Sequence, residues 1–203
     1  MHGLINRSIQ CFLRDTYGPA IWSQVAQKAG LGFDSFEALL IYDVALTDAV
    51  IGAAVQVLRR PRDTILEDLG TYLVAHPNTE SLRRLLRFGG GSFVDFLHSL
   101  DDLPDRGHLA LPDLALPKLR LVARGDGVFN LHASGMIHGV GHVIVGLLRA
   151  MADDYGALVL LDHAGAALPD QTTNAPVEEV ISIQLLDQSY SAGRHFDLAL
   201  PGH

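Results

Sequence analysis

The stretch Phe96 to Pro117, "FLHSLDDLPDRGHLALPDLALP", is where the pattern of the chain changes. Before it the apolar residues recur at helical spacing, and after it they alternate. Within it, His98 and His108 stand ten residues apart with Pro104 between them. A proline inside a helix lacks the N–H that the ladder needs and pushes the preceding residue away from helical dihedrals, at about 3 kcal/mol. The helix entering this stretch is therefore expected to end near Asp102, leaving His98 on its outer side and His108 in a loop.

Upstream, Leu4, Ile5, Ile9, Phe12 and Leu13 recur at helical spacing until "YGP" stops them. A second helix begins just after Pro19. "FEALLIYDVAL" reads as an apolar connector. Thr47 is expected to cap a helix to Leu58, and Asp63 one running to about His76. Thr79 with Leu82, Leu85 and Leu86 gives an amphipathic helix that stops at Gly89 to Gly91, after which Ser92 caps the helix of the opening stretch. Downstream, "KLRLVAR", the turn pair Asp126 and Gly127, and "VFNLHA" form a hairpin signal. A long helix is expected from about Met136 to Tyr155, then strands in "ALVLLDHAG" and "VEEVISIQLL", with a polar loop at roughly 168–175 between them. The fold class is α+β: helices first, then a three- or four-stranded antiparallel sheet with one helix inserted. The expected organisation is a single domain over 1–203, with a helical subdomain at about 1–60 and the remainder at 61–203.

Fifteen basic residues face 23 acidic ones, for a formal charge of −8, and no Lys/Arg-rich run occurs. That balance argues against nucleic-acid or anionic-membrane partners. The single Cys11 has no intramolecular disulfide partner, which suits a reducing compartment. The N-terminal stretch lacks the apolar core of a signal peptide, and no apolar run is long enough to span a bilayer. A cytoplasmic protein is expected.

Several short motifs, taken in order, resemble the heme-nitric oxide/oxygen binding (H-NOX) family. They are "MHGLINRSI" at the start, "YGPAIW" at Tyr17 to Trp22, "IYD" at Ile41 to Asp43, "FLHSLDDL" at Phe96 to Leu103, the prolines Pro112 and Pro117, and "GVGHVIVGLL" at Gly139 to Leu148. The resemblance implies an H-NOX-like fold, a helical subdomain packed on an antiparallel sheet, and a non-enzymatic sensor of the heme and nitric-oxide type. It also implies a signalling partner in trans, such as a histidine kinase, a cyclase or a chemotaxis protein. In that family the axial heme ligand is a histidine near the end of the helix typified by "FLxxLDxLH", eight and thirteen residues before two prolines. Pro104 stands at that position here. The family's Tyr-x-Ser-x-Arg motif, which holds the heme propionates, aligns with Ala133, Gly135 and Ile137. By the same resemblance, Ile5, Ile9, Leu73, Leu100, Pro117 and Val143 fall where the family lines its heme cavity. Heme is thus the cofactor the family implies, while these substitutions imply loss of the histidine-ligated site. Two alternatives stay open: heme bound through His108 or His98 as a gas or redox sensor, and a carrier of another apolar small molecule in the same cavity.

His138 and His142 form an H-x-x-x-H pair with His132 just upstream, a weak candidate for an imidazole-bound metal that no cysteine or well-placed carboxylate completes. G-x-S-x-G, a P-loop and a catalytic Cys/His pattern are all absent from the sequence, and "GGGS" at Gly89 to Ser92 reads as a helix-to-helix turn.

Overall fold

A computed structural model describes residues 1–110, 113, 114, 116–166 and 178–193. Pro112 and the polar loop at 168–175 lie outside the described residues. Among the described residues seven α-helices come first: α1 (Gly3–Tyr17), α2 (Pro19–Lys28), α3 (Val44–Leu58), α4 (Arg62–Ala75), α5 (Glu80–Arg87), α6 (Phe93–His98) and α7 (Leu103–Ala110). The hairpin β1 (Lys118–Gly125) and β2 (Val128–Ser134) follows, then α8 (Val140–Tyr155), β3 (Leu158–Ala166) and β4 (Glu178–Asp187). The sheet is antiparallel in the order β1-β2-β4-β3. The α+β class and the inserted helix agree with the sequence reading.

Local chemistry sets most boundaries. The imidazole of His2 accepts from Leu4 N–H to cap α1, and Gly18, at φ +93°, separates α1 from the proline that opens α2. Asp126 and Gly127 take the two positive-φ positions of the hairpin turn, which suits their residue types. Ser92 and Asp95 form a reciprocal capping box at α6.

Three expected starts are corrected. Asp43, whose carboxylate accepts from Ala45 N–H, caps α3 in place of Thr47; the Thr47 hydroxyl is buried and donates to Asn6 Oδ1 at 2.7 Å. Asp63 sits in the first turn of α4 behind Pro61 rather than at its cap. The long helix α8 starts at Val140 and not near Met136, because Gly139 at φ +85° interrupts the helical path.

The opening stretch is also corrected. α6 ends at His98, residues 99–102 turn, and the chain starts α7 at Leu103. Pro104 lies in the first turn of that helix, where a backbone N–H has no intrahelical acceptor in any case. Gly107 does not break α7; a Cβ there would fall 2.4 Å from Leu116 Cδ1, so the glycine permits close packing. The proline begins a helix instead of ending one.

Two apolar clusters form the interior. The first gathers Ile9, Phe12, Leu13, Trp22, Phe36 and Ile51 from the N-terminal helices and the connector before α3; the second gathers Phe93, Phe96, Leu100, Leu131, Leu148 and Ile181 from α6 and the turn after it, α8 and the sheet. α4 serves both, giving Ile65, Leu66, Leu69 and Tyr72 to the first and Val74 to the second. Against α4 lies α8, at backbone contact distance: a Cβ on Gly70 would fall 1.9 Å from the Val143 carbonyl oxygen, and one on Gly146 would fall 1.9 Å from that of Glu67. At the other end of α8, the nearly buried carboxylate of Asp154 pairs with Arg83 of α5, and the Arg87 guanidinium lies 3.9 Å from the Tyr155 ring centroid.

Gly146→Ala is expected to lower stability by about 1–3 kcal/mol, because the methyl group has to separate two backbones. Gly52→Ala, in α3 with open space where its Cβ would go, is expected to raise it by about 0.5–1 kcal/mol. Urea unfolding of the two variants checks both signs.

Candidate functional site

Pro104 is half-buried in the first turn of α7, and His108 follows it by one turn on the same continuous helix. The His108 side chain is exposed, as is that of His98, whose ring meets Phe129 edge-on at 6.0 Å. Ala133 is fully buried on β2, between Leu119 and Glu179 of the neighbouring strands. A Cβ at Gly135 would stand 3.3 Å from Pro117 Cβ, and Ile137 packs against the helical core.

Of the six residues that the resemblance puts around a cavity, Ile5, Ile9, Leu73 and Val143 belong to the helical cluster. Leu100 belongs to the sheet cluster, and Pro117 lies beside Gly135. These residues do not fit a histidine-ligated heme held in the family's manner. Proline offers iron no donor atom, and alanine, glycine and isoleucine offer propionates no charged or hydroxyl donor.

The histidines following the hairpin do not converge. His132 faces away from the buried side of β2, where its Nδ1 lies 3.3 Å from Glu178 Oε1, and His138 is exposed just before α8. Among the described residues no group of three His, Cys, Asp or Glu side chains is arranged to hold a metal ion. His132 lies on β2, His138 in the turn that follows it and His142 on α8, so the weak candidate set of the sequence leaves three different pieces of backbone.

His142 has other neighbours. Its ring centroid lies 4.1 Å from that of His163 on β3, with the planes 35° apart. His142 Nδ1 is 3.4 Å from Glu67 Oε1, and its Nε2 is 3.6 Å from Asp63 Oδ1, both on α4. His163 Nε2 is 2.8 Å from Oε2 of Glu179, a carboxylate only 3% exposed. Glu179 also accepts from Gly139 N–H at 3.1 Å and Gly141 N–H at 3.0 Å, at the start of α8. The sequence reading missed this group. Its one signal is Glu179 itself, an acidic residue on the face of β4 that alternation assigns to Ile181 and Ile183.

An open cleft of about 470 Å³ lies on the helical half, with Phe12, Tyr17, Asp68, Tyr72 and His76 among its lining residues. The Tyr72 hydroxyl donates to Asp15 Oδ2 at 2.8 Å, and its ring stacks on His76 with centroids 4.6 Å apart. Burial first, and then the bond to Asp15, pushes the Tyr72 phenol well above its usual range. For Asp15, burial works upward. Hydrogen bonds from Tyr72, Asn78 and Arg14 outweigh it and hold the carboxyl below its ordinary value.

Comparison with known proteins supplies the context for this geometry. A family model described as Haem-NO-binding matches residues 2–163. The soluble guanylate cyclase gcy-31 of Caenorhabditis elegans is 25% identical over 154 residues, covering 76% of this chain and 22% of that protein. The soluble guanylate cyclase 89Db of Drosophila melanogaster is 23% identical over 91% of this chain and 29% of its own length. The chain thus spans less than a third of the length of these relatives. Among solved structures, an H-NOX protein from S. oneidensis in the Fe(II) ligation state superposes with a TM-score of 0.74 at 16% identity, covering 93% of this chain and 97% of that one. An oxygen-binding H-NOX domain related to soluble guanylate cyclases, in its oxygen complex, gives a TM-score of 0.69 at 13% identity over 96% and 100% of the two chains. These structural likenesses establish a shared fold.

The lowered Asp15 carboxyl gives a pH dependence with a defined sign. A group whose folded pKa lies below its unfolded value contributes stability that is complete above the unfolded value, 3.8, and is lost as pH falls through the folded one. Asp15→Asn is therefore expected to be less stable than the parent at neutral pH, by about 1 kcal/mol. The gap should close in acid below pH 3.8, as followed by thermal unfolding across pH.

Proposed function

The chain belongs to the Haem-NO-binding family, and from that premise we propose that it is a non-enzymatic sensor domain whose histidine-ligated heme site has been lost and which signals through a separate partner protein. The observation that carries this reading is Pro104. The residue that the resemblance puts at the axial position has no donor atom, and it is built into the fold as the first turn of α7. Ala133, Gly135 and Ile137 support it independently, since a buried alanine, a packed glycine and an apolar isoleucine stand where a propionate clamp would be needed. The axial bond and the propionate contacts are separate contributions to heme affinity. A chain without either has little to hold the cofactor except apolar contact.

The partner is inferred from the relatives. Two of them are soluble guanylate cyclases whose length far exceeds the matched portion, which supports an output through a cyclase, a histidine kinase or a chemotaxis-type protein. The acidic balance gives no footprint for nucleic acid. No helix among the described residues is long and apolar enough to cross a membrane, which is compatible with the cytoplasmic location we propose.

One observation favours a second reading, in which heme is bound through a non-standard ligand. α7 runs unbroken from Leu103 to Ala110, so His108 shares a face with Pro104 one turn on. In this reading His108 is the axial donor and His98 the lesser candidate.

Absorption spectra of the purified protein, alone and titrated with hemin, separate the two readings. The expected result is no stoichiometric Soret band as purified and a gain of at least about tenfold in hemin affinity, ~1.4 kcal/mol, on Pro104→His. A stoichiometric band in the parent that disappears in His108→Ala would establish the second reading in place of the first.

A further inference from the structure

We propose that His142 and His163 form a proton-operated joint between the helical and sheet halves of the fold, taking up a proton as one coupled unit. This goes beyond the sensor reading above and does not depend on whether heme binds.

The geometry points to it in three steps. The two rings lie 4.1 Å apart, centroid to centroid, and belong to different elements, His142 to the first turn of α8 and His163 to edge strand β3. Carboxylates flank the pair on both outer sides: Asp63 and Glu67 reach His142 from α4, and Glu179 reaches His163 from β4. Arg149 of α8 reaches the pair through a carboxylate, bonded to Glu67 Oε2 at 3.0 Å. From β2, Ala133 stands opposite Glu179 and brings no titratable group.

The two histidines are not equivalent. Glu179 is held as an acceptor by the Gly139 and Gly141 N–H groups, so His163 Nε2 carries hydrogen toward it and the lone pair of the neutral ring rests on Nδ1. His142 has a carboxylate near each nitrogen, both on α4. Glu67 Oε1 is within hydrogen-bond distance of Nδ1, whereas Asp63 Oδ1, at 3.6 Å from Nε2, meets the ring only through its charge, so the cation gains attraction to both carboxylates that the neutral ring lacks. Proton uptake by His142 therefore completes its tie to α4, next to the glycine contact that joins α4 to α8. A second proton on His163 would put two like charges on rings whose centroids are 4.1 Å apart, which opposes it. One proton thus serves the pair, and its presence sets how firmly α4, α8 and β3 are joined. Histidine is the side chain suited to this between pH 5 and 8.

The test is NMR of the full chain between pH 5 and 8, following the imidazole signals of both histidines and the backbone amides of Gly70 and Gly146. The expected result is uptake of one proton in this range, seen at one shared midpoint by both rings and by both glycine amides. In His163→Gln the midpoint of His142 should move from its place in the parent, and in His142→Gln that of His163 should do so. If one variant does not fold, the reciprocal one and the parent curves decide the matter. Two independent single-step titrations, or glycine amides that ignore both, would overturn the joint. A Soret band in the same sample would bear on the heme reading alone.

Discussion

The contact between α4 and α8 is the constraint on which the rest of the arrangement depends. Gly70 and Gly146 bring the two helices together with backbone against backbone, at distances that no side chain permits. α4 carries the apolar face of the helical cluster and ends in the sheet cluster, while α8 connects β2 to β3 and packs the sheet's buried face. A pair of helices held this closely works as a single strut between two otherwise separate cores. Bistable or responsive behaviour in such a fold has to involve the strut or what lies beside it, because packed cores resist continuous deformation.

Beside the strut, polar groups are paired across elements that are distant in sequence. Glu179 of β4 satisfies the first N–H groups of α8, which would otherwise be orphan donors, and the negative charge is well placed at a helix N-terminus. His142 and His163 extend that chain to Asp63 and Glu67 on α4. At the far end of α8, the Arg83–Asp154 pair and the Arg87–Tyr155 contact tie in α5. Both ends of one helix are therefore fixed by charged partners from other elements, with its middle fixed by glycine.

The turn from α6 to α7 shows how one residue type admits opposite local readings. Proline is incompatible with the interior of a helix and favourable in its first turn. Which applies at Pro104 depends on whether the helix before it has already ended. The hydrogen bonds Leu100 N–H to Leu97 and Leu103 N–H to Leu100 end α6 in a turn four residues long, and α7 starts afresh. At this place the family resemblance calls for a donor atom, and the chain uses the residue as a helix start.

Much of this was legible in the sequence. Periodicity placed the helices other than α7 and the four strands, the Asp126–Gly127 pair marked the hairpin, and Ser92 marked the α6 cap, because each of these depends on residues close together along the chain. That Pro104, Ala133, Gly135 and Ile137 carry no charged or hydroxyl side-chain donor was readable residue by residue; their place at an axial and a propionate position is what the resemblance implies. Tertiary structure alone decided the rest. It moved the α3 cap from Thr47 to Asp43 because the threonine hydroxyl is drawn inward to Asn6, a partner 41 residues away. It divided the expected pocket residues between two cores, and it separated His132, His138 and His142 while bringing His142 to His163. Those outcomes rest on pairings between remote segments, and spacing along a chain carries no information about which remote face a side chain will meet.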